Sequence, residues 1–161
     1  GASLSIAALV VMTYTITGVL FQLVAGFLGD RVRKPPAIAA FIAIQGIGML
    51  IAALIRTVPG AFLFAILYGI GFGGRVPLLT AIRGDYFGRK AFATILGVSF
   101  APMNIAQMGA PILAGYIFDT RGSYTLPFTA LAILNFIGSG LILLARKPAF
   151  SNSDNNASRL G

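Results

Sequence analysis

Long runs of apolar residues alternate with short polar breaks along this chain. A helix needs about 20 apolar residues to cross the hydrocarbon core of a bilayer. Five runs meet that length, at residues 4–28, 36–55, 61–82, 91–118 and 126–145. The pattern predicts an all-α membrane protein, a bundle of five transmembrane helices within residues 1–148. The polar segment 149–161 is predicted to be a disordered tail.

The breaks between the runs are short and rich in charge, Gly or Pro. They read "GDRVRKPP", "RTVPG", "RGDYFGRK" and "DTRGSY". Because connections this short join neighbouring elements, consecutive spans are predicted to be antiparallel.

Composition supports a bilayer as the solvent of this chain. Hydrophobic residues make up 57% and charged residues only 10%, whereas a soluble domain carries about a quarter charged residues. The net charge is +8, but the basic residues sit in clusters between spans, so nucleic-acid binding is not predicted. Cys and His are absent, which excludes disulfides and leaves little for catalysis or metal binding. The sequence predicts neither an enzyme nor a cofactor.

The basic residues also predict which side of the membrane each break faces. Lys and Arg number three, one, three and one in the four breaks, and three after the last span. Since cytoplasmic loops carry the excess of Lys and Arg, the first and third breaks and the tail are predicted to be cytoplasmic. The "NAS" at residues 156–158 fits a glycosylation acceptor but lies on the cytoplasmic side in this topology, so it is interpreted as chance. The predicted location is the plasma or inner membrane.

The first break carries a motif as well as charge. It reads Gly26-x-Leu28-x-Asp30-Arg31-x-Arg33-Lys34. This resembles the cytoplasmic signature of the major facilitator superfamily, Gly-x-x-x-Asp-Arg/Lys-x-Gly-x-Arg/Lys. It departs from that signature at Arg33, where the family usually has Gly, and its final basic residue is shifted by one place.

Three further stretches extend the resemblance over nearly the whole chain. "DYFGRK" at 85–90 looks like a degenerate second copy of the motif, and "GAPILAG" at 109–115 is similar to the family's Gly-Pro signature on a gating helix. "DTRGSYTLPF" at 119–128 resembles the outer turn before the last span in monocarboxylate and oxalate–formate type members. A full member has twelve spans in two halves. The resemblance therefore implies a fragment that covers spans eight to twelve, with spans two to six as the alternative. The missing half would be its partner.

The resemblance implies a gate at the cytoplasmic ends of the helices. Asp30 would accept hydrogen bonds from a neighbouring helix N-terminus and from a nearby Arg, while Gly26 would allow a close helix approach. The alternative is that Asp30 only offsets its basic neighbours. The predicted gating residues are Gly26, Asp30, Arg31, Lys34, Asp85, Arg89, Lys90 and Pro111.

Arg75 is a charge within a predicted span. It lies eight residues before Arg83, which places it about 12 Å deeper and near the midplane. An Arg at that depth usually faces a cavity or a partner. A substrate anion, a structural partner or snorkelling to the interface remain open as explanations. The predicted substrate-binding residues are Arg75, Tyr14, Gln22, Tyr68, Asn104 and Gln107.

Small residues predict where helices approach each other closely. Gly69 and Gly73 form a small-xxx-small face in the third span. Tyr14 and Gln22 share one face of the first span with Gly18 and Gly26 at every fourth position. Tyr14 and Gln22 either line the solute path or only pack. Asn104 and Gln107 either bond across helices or face a wet cavity.

Three functions fit these features. The first is secondary transport, as symport or antiport, of a small solute such as a monocarboxylate by alternating access. The second is efflux of amphipathic drugs by a related member, and the third is a non-transporting membrane scaffold.

Overall fold

The computed structural model describes residues 3–29, 31–54 and 56–144, without side-chain detail at 87–92 and 111. These residues form four helices: α1 (Leu4–Leu28), α2 (Lys34–Leu54), α3 (Val58–Arg121) and α4 (Thr125–Leu144). Five stretches of them are long and apolar enough to cross a membrane, because α3 holds two, Val58–Tyr86 and Ala93–Arg121. The prediction of an all-α membrane fold is confirmed.

Local sequence signals fix where α3 begins and ends. At its start the Thr57 hydroxyl accepts a hydrogen bond from the Gly60 N–H, and Pro59 occupies the first turn, where its missing N–H costs nothing. At its end Gly122 adopts a φ of +64° and donates its N–H to the Phe118 carbonyl. Glycine takes this left-handed conformation without steric cost, so it stops the helix.

The loop predicted at residues 83–90 is wrong, because α3 is helical through these positions. Within these positions Tyr86 ends the first apolar span of α3, and the second begins at Ala93. The charged residues that suggested a loop do not by themselves end a helix.

The ends of α3 nevertheless lie close together. Phe118 stacks on Tyr124 at a ring distance of 4.3 Å, Tyr124 contacts Phe128 at 6.3 Å, and Phe128 contacts Phe64 at 6.1 Å. A straight helix would separate Phe64 and Phe118 by about 80 Å. The two halves of α3 therefore run in opposite directions.

Charged and polar contacts identify the two ends of the bundle. At one end, where α2 begins, Lys34 forms an ion pair with Asp85 of α3. At the other, where α2 ends, Arg56 donates hydrogen bonds to the Ser123 and Thr125 hydroxyls at 2.6 and 2.9 Å. We call these the Lys34 end and the Arg56 end. The first and third predicted breaks thus share one end, and the second and fourth share the other.

The first half of α3 is the centre of the bundle. α1 and α2 both pack on it, and α4 packs on the other side of α2. The buried hydrophobic cluster comprises Ala25, Ile38, Ile42, Leu78 and Ile82. The second half of α3, Ala93–Arg121, has none of its apolar window buried among the residues that the structure describes.

Glycines let α3 touch two helices at once. A Cβ on Gly69 would lie 2.8 Å from the Tyr14 carbonyl oxygen, and one on Gly73 would collide with the Gly18 backbone. A Cβ on Gly71 would lie 2.6 Å from the Gln45 Cβ of α2. The close contact predicted from Gly69 and Gly73 is confirmed, and α1 is the helix that it holds.

Several predictions fall where the structure gives no description. Asp30 and the predicted tail at 149–161 lie outside the described residues, as do the side chains of Arg89, Lys90 and Pro111.

Candidate functional site

Arg75 lies in a cluster of aromatic rings between α1 and α3. The rings of Tyr14, Tyr68 and Phe72 contact one another with centroids 5.5 to 6.3 Å apart. The Arg75 guanidinium carbon lies 5.4 Å from the centre of the Phe72 ring. Phe72 and Arg75 are three residues apart on α3, which places them on one face. The structure thus joins three predicted site residues, Tyr14, Tyr68 and Arg75, through Phe72.

A small cavity adjoins this cluster. Its volume is about 130 Å³, and it is lined by Tyr14, Thr15, Gly18, Val19, Gln22 and Phe72. The predicted site residue Gln22 therefore lies on the same cavity as Tyr14. Gly18 keeps the α1 backbone close to α3 at this level, so the cavity is narrow.

The charge of Arg75 is not neutralised by any neighbouring acid that the structure describes. Its Nε is buried and has no hydrogen-bond partner among the described residues. The Phe72 ring offers the guanidinium a cation–π contact. This contact partly stabilises a cation within the membrane.

Arg75 lies well within the helical span rather than at its edge. Asp85, at the Lys34 end, is ten residues further along α3, a helical distance of about 15 Å. Because a bilayer core is about 30 Å thick, this depth agrees with a position near the midplane. The buried Nε and the contact with Phe72 disfavour snorkelling to the interface.

Gln45 is a polar residue that the sequence reasoning missed. Its side chain is only 3% exposed, and its Oε1 has no hydrogen-bond partner in the described part of the chain. It faces Gly71 of α3. The available signal was an amide inside the apolar run of α2, but the sequence does not show which helix it would face.

The structure does not bring Asn104 and Gln107 to this cluster. Both are exposed in the second half of α3, and neither lines the cavity beside Tyr14.

Two of the predicted gating residues contact each other, and the other described ones do not join that contact. Lys34 and Asp85, predicted separately, form one ion pair. Arg31 lies over the Phe27 ring at 4.4 Å. Gly26 is exposed, and nothing the structure describes lies within 4 Å of a Cβ placed there. The close approach expected at Gly26 is therefore not made by any described residue, whereas Gly18, two turns earlier, makes one.

Five apolar helical stretches long enough to cross a bilayer define a polytopic membrane protein. Comparison with known families agrees with this class. Residues 1–160 match the family model of the Major Facilitator Superfamily. The chain belongs to the major facilitator superfamily, and it is an integral membrane protein.

Named relatives point to transport proteins. The chain is 28% identical to Monocarboxylate transporter 12-B of Danio rerio over 143 residues, which cover 86% of this chain and 30% of the relative. It is 28% identical to human Monocarboxylate transporter 11 over 83% of the chain and 30% of the relative. It is 32% identical to Inner membrane transport protein YajR of Escherichia coli over 89% of the chain and 31% of the relative. The chain thus spans about a third of the length of these relatives.

Proposed function

We propose that the chain is part of a secondary transporter that moves a small organic anion by alternating access. The observation that carries the proposal is Arg75, a cation within the span that has no acid beside it in the structure described. In this proposal the anion binds the guanidinium in the cleft between α1 and α3.

The neighbours of Arg75 suit a small carboxylate. A guanidinium presents its N–H donors in a planar fork that matches the two oxygens of a carboxylate. Tyr14 and Gln22, which line the adjoining cavity, can donate or accept further hydrogen bonds. Phe72 and Val19 supply an apolar wall. The cavity, of about 130 Å³, is one part of a site that helices outside this chain would complete.

The sign of the buried charge separates this proposal from drug efflux. A cationic amphipathic drug would meet repulsion from Arg75, and the structure describes no acid that would offset it. The names of two relatives, both monocarboxylate transporters, point the same way. We therefore place monocarboxylates first among candidate substrates.

The rest of the proposal concerns the other half and the gate. Because the chain spans about a third of its named relatives, the site would be completed by helices outside it. The Lys34 end, which carries the larger count of basic residues, is the proposed cytoplasmic end. The ion pair between Lys34 and Asp85 would belong to the gate there. We assign the chain to spans eight to twelve, on the motifs it carries.

Uptake into liposomes tests the proposal. The full-length transporter would be reconstituted and supplied with labelled monocarboxylates of two to six carbons, as wild type and as Arg75→Gln. Losing a charged hydrogen-bonding group is expected to reduce uptake at least about tenfold. Arg83→Gln is the matched control, since it removes the same charge from the same helix eight residues away from the site.

Two results would contradict the proposal. Uptake by Arg75→Gln at the wild-type rate would remove Arg75 from the site. A wild-type protein that carries no monocarboxylate but exports cationic amphiphiles would indicate drug efflux instead.

A further inference from the structure

Two buried polar atoms that lack hydrogen-bond partners occur on facing helices. They are Oε1 of Gln45 on α2 and Nε of Arg75 on α3, and no other such side-chain atom occurs in the described residues. One is an acceptor and the other a donor. Buried polar groups in proteins nearly always have partners, so an unpaired donor and an unpaired acceptor side by side require an explanation.

The backbones of α2 and α3 are in contact at this level. A Cβ on Gly71 would lie 2.6 Å from the Gln45 Cβ and 2.7 Å from the Gln45 backbone nitrogen. Arg75 follows Gly71 by four residues, so the two lie on the same face of α3, about 6 Å apart. The Cβ atoms of Gln45 and Arg75 are therefore within about 9 Å of each other.

That separation is within reach of the two side chains. Gln45 Oε1 and Arg75 Nε each lie three bonds beyond their Cβ atoms. Gly71 lets the two helix backbones approach this closely. In the proposed state, a change of side-chain rotamer would bring the acceptor to the donor across this distance.

We propose that Gln45 is a positioning residue for Arg75. In the substrate-ready state its Oε1 accepts a hydrogen bond from Arg75 Nε. This bond holds the guanidinium plane, so that the terminal N–H groups point towards the cleft that contains Tyr14 and Phe72. A guanidinium that is already oriented loses less conformational freedom when an anion binds. The proposal rests on the proposed function for its effect on transport, but the pairing itself does not require transport.

A thermal-stability cycle on the full-length protein tests the pairing without any substrate. The variants are Gln45→Met, Arg75→Met and the two together, with Met chosen because it keeps an unbranched, apolar side chain of similar length. If the groups are paired, Gln45→Met leaves Arg75 without its partner and lowers the unfolding temperature by a few degrees. The loss in the double variant is then clearly smaller than the sum of the two single losses.

The thermal-stability cycle gives a different result if Gln45 and Arg75 are not paired. If the groups never meet, Gln45→Met replaces an unpaired buried amide by an apolar group and raises the unfolding temperature. The changes from Gln45→Met and Arg75→Met would then add, and the proposal would be overturned. Gln45→Met combined with Arg83→Gln is the control, because those two changes are expected to add.

Transport kinetics supply the second readout. Gln45→Met is expected to raise the KM for a transported monocarboxylate on the order of fivefold while the maximal rate changes little. Gln45→Glu is expected to fold and to abolish uptake, because its carboxylate pairs with Arg75 and occupies the anion site. Normal uptake by Gln45→Glu would contradict the positioning role.

The two proposals can fail separately. Coupled stability together with normal uptake by Arg75→Gln would leave the pair intact and remove the anion site. Additive stability together with lost uptake by Arg75→Gln would leave the anion site intact and remove the pair.

Discussion

Single glycines determine how closely the central helix can approach its neighbours. Gly69 and Gly73 face α1, while Gly71 faces Gln45 of α2. In lipid, where apolar side chains gain little by leaving the solvent, close backbone packing is a principal source of helix association. These positions therefore fix the width of the cleft in which Arg75 lies.

Gly73→Ala tests this role. The added methyl group would collide with the Gly18 backbone, so α1 must move away from α3. Overpacking of this kind costs about 1–3 kcal/mol, and the thermal unfolding temperature of the full-length protein in detergent should fall.

Gly140→Ala is the control for that change. A Cβ at Gly140 meets nothing within 4 Å in the described part of the chain, and alanine is the better helix former. Its unfolding temperature should stay the same or rise. Equal losses for the two variants would show that contact with Gly18 is not the cause.

At the scale of single residues, the sequence predicted where helices touch better than it predicted which residues surround a buried polar side chain. A pair of glycines four residues apart has one common meaning in a membrane helix, so the role of Gly69 and Gly73 followed from spacing. Gln45 belongs to no such spacing pattern, because the role of its amide depends on which helix lies opposite. Arg75 stood out because a charge inside a span is costly. Its contact with Phe72 follows from their spacing on one helix, but the contact with Tyr14 depends on how α1 crosses α3.

At the scale of elements, α3 combines two spans that the sequence pattern had separated. Charge at 83–90 predicted a loop, yet the backbone stays helical there. The return of Phe118 to the level of Phe64 shows that the two halves are still antiparallel. Hydropathy therefore predicted the number and direction of the spans, because both follow from burial in lipid. It did not predict that α3 stays helical across residues 83–90, because a cluster of charged residues neither requires a loop nor ends a helix.

Cross-linking tests the reversal of α3. The chain has no Cys, so a pair introduced at Arg56 and Ser123, whose side chains are hydrogen-bonded, should be joined by a short thiol-reactive cross-linker. A pair at Arg56 and Asp85 is the control. These residues lie at opposite ends of the bundle and should not react with each other. A cross-link in the control pair, or its absence in the first pair, would contradict the arrangement of α3.

At the scale of the whole molecule, the proposed site would be one half of a larger cleft. α1 and the first half of α3 supply Tyr14, Gln22, Phe72 and Arg75, but the second half of α3 has none of its apolar window buried among the described residues. Family membership explains why this half of α3 is exposed, since transporters of this class place their sites between two halves. We therefore expect binding and transport to require the full-length protein.

Equilibrium binding to the full-length protein tests the central claim most directly. A radiolabelled monocarboxylate of two to six carbons would be titrated against wild type, Arg75→Gln and Arg83→Gln in detergent, and the Kd of each would be compared. The account predicts saturable binding to wild type and Arg83→Gln with the same Kd, and a Kd at least about tenfold higher for Arg75→Gln. Binding of the monocarboxylate to Arg75→Gln with the wild-type Kd would contradict it.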